Sequence, residues 1–555
     1  MEVDNDLPLL EEDEISLCDC IDNDGNINLE KYRLYMSQED DKEDLEESKL
    51  QSFYMEDSDS EGETTKATRG SSTSRKRRTV KSIKPYYFDS EGNKVTLVPK
   101  QTVWYLMYVV SPALDCPKFM KKFRRRFRLP YSEYLDLLET TESNDMFRRW
   151  RSKDATGKES SPLQLLVLGA LRYLGRGLTF DDLEEYTAIN EETHRQFFHV
   201  FIQFGEEVLY PLYVTMPRTA QELKSHRKEF DIGGLYGCGW SSDATNVVMW
   251  RCSHNLKQAN TGFKQSHPAR TYNLTCNHRR EILHTTKGHP SRWNDKTLVL
   301  FDDFITGIHE NRILQDVKFH LFSWSGEVGN SQVEYTNYSG AWGLVDNGYH
   351  RWACTQAPAK MSFLRSEQRL SEWIESFRKD AECTFGILKG RFRILRTGIR
   401  LDGPEAADRI WLTCCALHNK LLKADGLLDE WEGARGENDV DDMRRFAPFA
   451  LQRLNDNQLR SFGGREHERE CIDEETRRRA TNSLRGEEEE SAQEEEDLHE
   501  DDDYLAGQPQ QYAIDGSILV NSLSYDDFRN RLVEHFDILW RRHRVKWPER
   551  KISNN

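Results

Sequence analysis

Charge is segregated along this 555-residue chain, and the segregation decides which stretches can pack. Residues 1–60 hold 21 Asp and Glu against 4 Lys and Arg, and residues 429–510 hold 26 against 11. Like charges at this density repel one another, and neither stretch sustains an apolar face, so both are expected to be acidic disordered segments. The whole chain carries −18; with the −17 and −15 of these two stretches set aside, the remainder carries +14. A basic body between acidic segments suits a folded part that meets a polyanion, nucleic acid first among them. Solubilising tails beside a scattered basic excess satisfy the same numbers, so charge alone leaves both readings open.

The length calls for two or three folded units, and the apolar content, 37% with 11% aromatic, is enough for a core in part of the chain. The longest largely apolar run, Thr102 to Leu114, stops well short of the roughly 20 residues that a bilayer requires, so no membrane span is expected. The opening Met1-Glu2-Val3-Asp4 is acidic, unlike a secretory signal, and the 11 cysteines are expected to be reduced. Neither a GxxxxGK[ST] phosphate loop nor a GxSxG elbow occurs, which gives nucleotide hydrolysis and serine-hydrolase chemistry no support.

Arg75-Lys76-Arg77-Arg78 lies in a Ser/Thr-rich linker and reads as a nuclear-import signal or a phosphate-contact patch. From Trp104 to Tyr210 the apolar spacing is helical. There Lys121 to Arg128 interleaves aromatic residues with Arg124, Arg125 and Arg126, candidate DNA contacts. A short helix capped by Thr179, a turn at 187–190 and a longer helix burying Phe197, Val200, Phe201 and Phe204 have helix-turn-helix spacing. Glu191 and Glu192 at the start of the second helix would face phosphates, so a plain bundle role fits equally. Leu235–Trp250, Arg270–His284, Lys318–Trp324 and Gly340–Val345 read as strands, followed by helices over about 366–391, 406–422 and 525–547. The expected organisation is a tail and basic linker over 1–100, a helical domain, a candidate DNA-binding unit, over 101–225, an α/β catalytic domain over 226–424, an acidic insertion over 425–510 and a C-terminal helix within 511–555 that packs on the body.

Four carboxylates stand out within the basic body. Asp243 closes Trp240-Ser241-Ser242-Asp243, Asp295 precedes an apolar run, and Asp346 ends a strand before Gly348, which is able to take φ > 0. Glu382 lies on the long helix, roughly 100° from the middle of a face formed by Ile374, Phe377, Ala381, Phe385 and Leu388. Lys389 follows two turns later with Gly386 leaving space between them, and Arg391 and Arg393 extend a cationic track suited to DNA phosphates. Converging acids suit hard divalent cations, and two or three of them hold a pair of Mg²⁺ or Mn²⁺ ions about 3.5–4 Å apart for in-line phosphodiester attack. Taken singly, Asp243 and Asp295 fit turn or cap roles and Glu382 a solvated helix position.

The ordered set resembles one family. Phe123-Arg124-Arg125-Arg126-Phe127-Arg128, Gly288-His289-Pro290 with Trp293-Asn294-Asp295, Asp346-Asn347-Gly348-Tyr349, Glu382 with Phe385-Gly386 and Leu388-Lys389-Gly390-Arg391-Phe392, and Leu417-His418-Asn419 follow one another as in PIF/Harbinger-type DDE transposases. Asn246 and Ser291 depart from that pattern, which commonly has His shortly after the first Asp and Gly at the second position. The resemblance implies a ribonuclease H-like catalytic domain, metal ligation by Asp243, Asp295, Asp346 and Glu382, and catalysis by Asp243, Asp346 and Glu382. It further implies a DNA endonuclease or strand transferase acting on transposon ends or host DNA, a nuclear location, and a Myb-like companion protein; a homo-oligomer is possible. The alternative is a host-adopted, catalytically quiet DNA- or chromatin-binding protein that keeps the fold. Cys252-x-His254 and Cys276-x-His278 offer a second, weaker metal-ligand set, of no standard zinc-finger spacing.

Overall fold

The computed structural model describes residues 86–88, 94–151, 160–262, 267–325, 332–360, 362–429 and 510–548. The acidic stretches 1–60 and 430–509 and the basic cluster Arg75-Lys76-Arg77-Arg78 lie outside the described residues. The described residues divide into two compact units, one of those up to Tyr173 with Leu178–Val200, the other of Leu174–Gly177 with those from Phe201 onward.

The first unit begins with a two-stranded antiparallel ribbon, β1 (Tyr86–Phe88) and β2 (Lys94–Thr96), and continues in helices. Helix α1 (Pro117–Phe127) starts on a proline, whose missing N–H costs nothing at a helix start, and buries Phe119, Phe123 and Phe127. Helix α2 (Tyr131–Ser143) contributes Tyr131, Tyr134, Leu137 and Leu138 to the same aromatic core. After α3 (Leu163–Arg176), Thr179 and Asp182 form a reciprocal cap at the start of α4 (Phe180–Thr187). Ala188 at φ 53° turns the chain into α5 (Glu191–Phe204). The turn is fixed by His194, whose Nε2 lies 2.7 Å from Thr187 Oγ1 and whose ring abuts Gly169 so closely that a Cβ there would stand 2.9 Å away. Glu191 and Glu192 at the head of α5 pair with Arg195.

The second unit is mixed α/β. Helix α6 (Ala220–Ile232), capped by Thr219 and Glu222, leads into β3 (Cys238–Val248). Antiparallel partners follow on one side, β4 (Ala269–Cys276), then β5 (Ile282–Thr285), with β6 (His289–Pro290) also on β4. The turn between β4 and β5 contains Arg280 at φ 65°, so the stretch 270–284 is two strands rather than one. On the other side of β3 lie β9 (Trp342–Leu344) and β10 (Thr355–Gln356), both parallel, giving the order β10-β9-β3-β4-β5. Short helices α7 (Asp295–Val299) and α8 (Asp303–His309) precede a separate sheet of β7 (Lys318–Ser325), β8 (Gln332–Ser339) and β11 (Ile518–Leu519).

Helix α9 (Arg365–Arg391) lies along β3 in the same direction: Phe377 O accepts from Ser241 Oγ, Arg378 reaches Asp243, and Lys389 reaches Thr245 and Asn246. Its buried face contains Ile374, Phe377, Ala381, Phe385 and Leu388, the positions that helical spacing selects. Helix α10 (Pro404–Ala424) is buried nearly all round from Ile410 to Leu422. The C-terminal helix α11 (Tyr525–Arg541) buries Phe528, Leu532, Phe536 and Leu539 in one cluster with Trp373 and Phe377 of α9. No helix among the described residues is long and apolar enough to cross a membrane.

Candidate active site

Two acids owe their positions to strand register. Ser241 of β3 pairs in parallel with Leu344 of β9, so Asp243 and Asp346 each lie two residues beyond one registered pair. Neighbouring strands are about 4.8 Å apart, so the register brings Asp243 and the start of the Asp346 turn close together, near enough for Asp346 to act on the Asp243 carboxyl. β3 runs on past Asp243 to Val248, inside the stretch its sequence predicts as strand, paired with β4 and met at Val248 O by Ile399 N; Asp243, opposite Leu274, marks where β9 has departed. Val345 N still bonds Gln356 O before the chain turns at Asp346, and Tyr349 N closes that turn onto Asp346 O.

Glu382 is exposed at 49%, one residue from buried Ala381, which places it at the border of the α9 core face. What joins it to β3 is Arg378, a residue the sequence reading passes over. Arg378 Nη1 lies 3.4 Å from Asp243 Oδ2, and Nη2 lies 2.9 Å from both Glu382 Oε1 and Glu375 Oε1. The i−3 and i+4 placement of Glu375 and Glu382 around Arg378 was the available clue, since those separations put side chains on one helical face. Burial pushes the Asp243 carboxyl up to about 6, against the lowering effects of the Ala244 N–H and Arg378, and the charges of Asp346 and Glu382 push the same way as burial.

Asp295 is the first residue of α7, while the capping is done by its neighbour Asn294, whose Oδ1 accepts from Thr297 N. The Asp295 carboxylate packs against Gly348: a Cβ there would stand 2.5 Å from Asp295 Oδ2. Gly348 is not among the positive-φ glycines, so the glycine is required by this close approach and not by a left-handed turn. Beneath them Tyr349 donates to Asn273 Oδ1, Asn273 Nδ2 donates to Asp302 Oδ2 at 2.6 Å, and Asp302 Oδ1 caps α8. Burial, reinforced by Asp243, Asp295, Asp302 and Asp346, holds the Tyr349 phenol protonated. This buried chain ties the Asp346 turn to β4, and local sequence spacing could not reveal it.

The basic candidates divide by burial. Lys389 Nζ donates to Thr245 Oγ1 at 2.8 Å and Asn246 O at 3.0 Å, so its ammonium is tied to β3 instead of standing beside Glu382. Arg391 is half-buried with Nη1 3.2 Å from His418 Nδ1, and Arg393 is half-buried just beyond the helix. In the first unit Arg124 is exposed and Arg125 half-buried. Arg126, three residues on from Phe123 and so on the core side, is 6% exposed and donates to Tyr108 Oη at 2.6 Å. Gly386 and Gly390 have open space where side chains would be, leaving a bare strip on α9 that continues from Glu382 at four-residue steps.

The donor set of Asp243, Asp346, Glu382 and Asp295 is all oxygen, which fits hard divalent cations, and a guanidinium already stands as a cation between two of its members. Among the described residues, no three of His, Cys, Asp or Glu are grouped tightly enough to hold a metal ion. Asp346 and Glu382 are near enough to perturb Asp243, while Arg378 stands between Asp243 and Glu382. The second metal-ligand set is likewise not assembled: Cys276 is buried beside Thr384, and His278 Nδ1 lies 2.5 Å from Asp380 Oδ2.

No curated protein and no solved structure matches the chain. Residues 242–419, which contain all four carboxylates, match the family model of the DDE superfamily endonucleases, and this similarity supports a transposase-like nuclease domain over that stretch.

Proposed function

We propose that the second unit is a divalent-metal-dependent DNA endonuclease or strand transferase of PIF/Harbinger transposase type, built on a ribonuclease H-like domain. The observation that carries this reading is the register of β3 on β9, which brings Asp243 and the Asp346 turn to neighbouring strands, with Glu382 linked to Asp243 through Arg378. A mixed sheet with β3 at its centre and α9 along it supports the fold assignment. Mg²⁺ or Mn²⁺ bound by Asp243, Asp346 and Glu382, with Asp295 as a further carboxylate, would supply Lewis-acid activation of a phosphodiester and of its attacking hydroxyl. The protein's own part is to hold the acids: Tyr349, Asn273 and Asp302 fix the Asp346 turn, Gly348 admits Asp295, and Lys389 anchors the end of β3. The bare strip of α9 lets a DNA backbone come close to Glu382, and Arg393 and Arg124 are the candidate phosphate contacts least taken up by the protein interior. Arg125 and Arg391 are secondary contacts, and Lys389, whose ammonium is tied to β3, contributes positive charge near the backbone without a direct phosphate contact. The same reading carries a nuclear location with Arg75-Lys76-Arg77-Arg78 as import signal, a Myb-like companion and a homo-oligomer at DNA ends.

The test is a nicking time course on duplex DNA in Mg²⁺ or Mn²⁺ beside a binding titration. Glu382→Gln is expected to lower cleavage by several orders of magnitude, because a charged ligand is lost, while DNA binding is kept, because it rests on Lys and Arg. Full cleavage by Glu382→Gln would remove this residue from the site. A wild-type protein that binds DNA and never cuts it would identify the host-adopted, catalytically quiet binder.

A further inference from the structure

We propose that Arg378 is a built-in counter-cation of the acidic site, which a divalent ion must displace from Asp243 and Glu382, and that Glu375 is the carboxylate that keeps hold of it. The inference rests on the reading of Asp243, Asp346 and Glu382 as metal ligands and adds a residue that governs their availability.

The geometry is that of a fork shared three ways. Arg378 is 7% exposed overall, so its charge is largely out of water and has to be balanced by neighbours. Its Nε and Nη2 edge meets both oxygens of Glu375, at 3.1 and 2.9 Å. Nη1 is left for Asp243 at 3.4 Å, and Nη2 is shared with Glu382 at 2.9 Å. The Glu375 pair is therefore bidentate and lies within one helix turn, whereas the contacts to Asp243 and Glu382 are single and longer or shared. Removing the weaker contacts leaves the stronger one intact, so the guanidinium can tip away from β3 without losing its partner.

Two electrostatic consequences follow. With no other cation present, Arg378 offsets the repulsion that Asp346 and Glu382 exert on Asp243, whose burial already disfavours its charged form. A divalent ion between Asp243 and Glu382 would instead meet a unit positive charge at contact distance and be repelled until the side chain moves. Arg378 thus steadies the metal-free acids and raises the ion concentration needed to occupy them. The guanidinium stands between Asp243 and Glu382, and no three-ligand group is assembled among the described residues.

The experiment is Mn²⁺ binding to the full-length protein, read by electron paramagnetic resonance of the free ion, with no substrate present. Arg378→Gln is expected to tighten Mn²⁺ binding roughly tenfold, since a positive charge leaves the site. Glu375→Gln is expected to weaken it several-fold, because the guanidinium then has no carboxylate except those the ion needs. An orienting or packing role predicts weaker binding, or none of these changes, in Arg378→Gln, and either result overturns the proposal. Should Arg378→Gln fail to fold, Glu375→Gln, altered at a side chain 39% exposed, decides by itself: an unchanged Mn²⁺ affinity refutes the proposal. Asp346→Asn separates the two levels of inference. If it abolishes Mn²⁺ binding while Arg378→Gln leaves affinity unimproved, only the counter-cation idea fails; if it leaves Mn²⁺ binding intact, the metal reading fails and this inference with it.

Discussion

At the scale of single residues, Gly348 makes the contact between Asp295 and the Asp346 turn testable without touching a carboxylate. An alanine there would place Cβ 2.5 Å from Asp295 Oδ2 and 3.3 Å from its Cβ and Cγ, closer than atoms in native packing approach. Either Asp295 rotates away or the turn shifts, and forced repacking of this kind costs about 1–3 kcal/mol. Gly348→Ala is expected to lower thermal stability by that amount and to impair cleavage, while Asp295→Ala in the same background recovers part of the stability by removing the crowded carboxylate. A double-mutant cycle in chemical denaturation measures the coupling. Strict additivity would mean that the two residues do not constrain each other. The glycine also shows where sequence reasoning stops: a turn residue was evident, but the reason for it, a carboxylate 53 positions upstream, is a tertiary fact.

At the scale of elements, α9 and β3 form the frame of the site, and Lys389 pins their far ends together. Its ammonium donates to Thr245 and Asn246 at 2.8 and 3.0 Å, and burial lowers its pKa. Lys389→Met keeps the length and apolar stem but leaves both acceptors unpaired, a loss of about 1–3 kcal/mol. The expected outcome is a less stable body with an unchanged salt dependence of DNA binding. A salt slope reduced by about 0.9 would instead count Lys389 as a phosphate contact. Much of α9 was legible because Ile374, Phe377, Ala381, Phe385 and Leu388 repeat at helical spacing and are all buried. By contrast β8, Gln332–Ser339, is mostly exposed and polar, so its alternation is faint, and β10 is two residues long and has no period at all. The pairing of Ser241 with Leu344 spans about a hundred residues of chain. Local periodicity places each strand but not its partner, so the closeness of Asp243 and Asp346 could be anticipated only from the order of motifs, and the bridging position of Arg378 not at all.

At the scale of the whole second unit, the buried histidines set its response to acid. Burial pushes His320 and His418 down to about 4 and His535 to about 3, and Arg227 and Arg391 add positive charge beside the first two. His418 Nδ1 faces an Arg391 N–H, and His535 Nδ1 accepts from Phe322 N, so protonation at either would set donor against donor. An unfolded histidine titrates near 6.5, so below that pH the unfolded chain binds protons that the folded one refuses, and stability falls as pH falls. At pH 5 each such imidazole accounts for a loss of about 2 kcal/mol, and three together approach the 5–15 kcal/mol that holds a typical domain folded. Asp243 works in the opposite direction. Raised to about 6, it binds its proton in the folded state first, so its contribution grows as pH falls through 6 toward 4, by no more than about 3 kcal/mol. Burial also raises Asp408, and it lowers His289 and His309, so the lowered histidines outweigh the raised aspartates and the net expectation in metal-free buffer is a melting temperature that drops between pH 7 and 5. His418→Gln, whose amide can both donate to Arg280 O and accept from Arg391, is expected to flatten that drop in part, by about 2 kcal/mol at pH 5, as one refusing site is gone. A melting temperature that holds level or rises toward pH 5 would show that these imidazoles take up protons within the folded unit and that acid leaves its core intact.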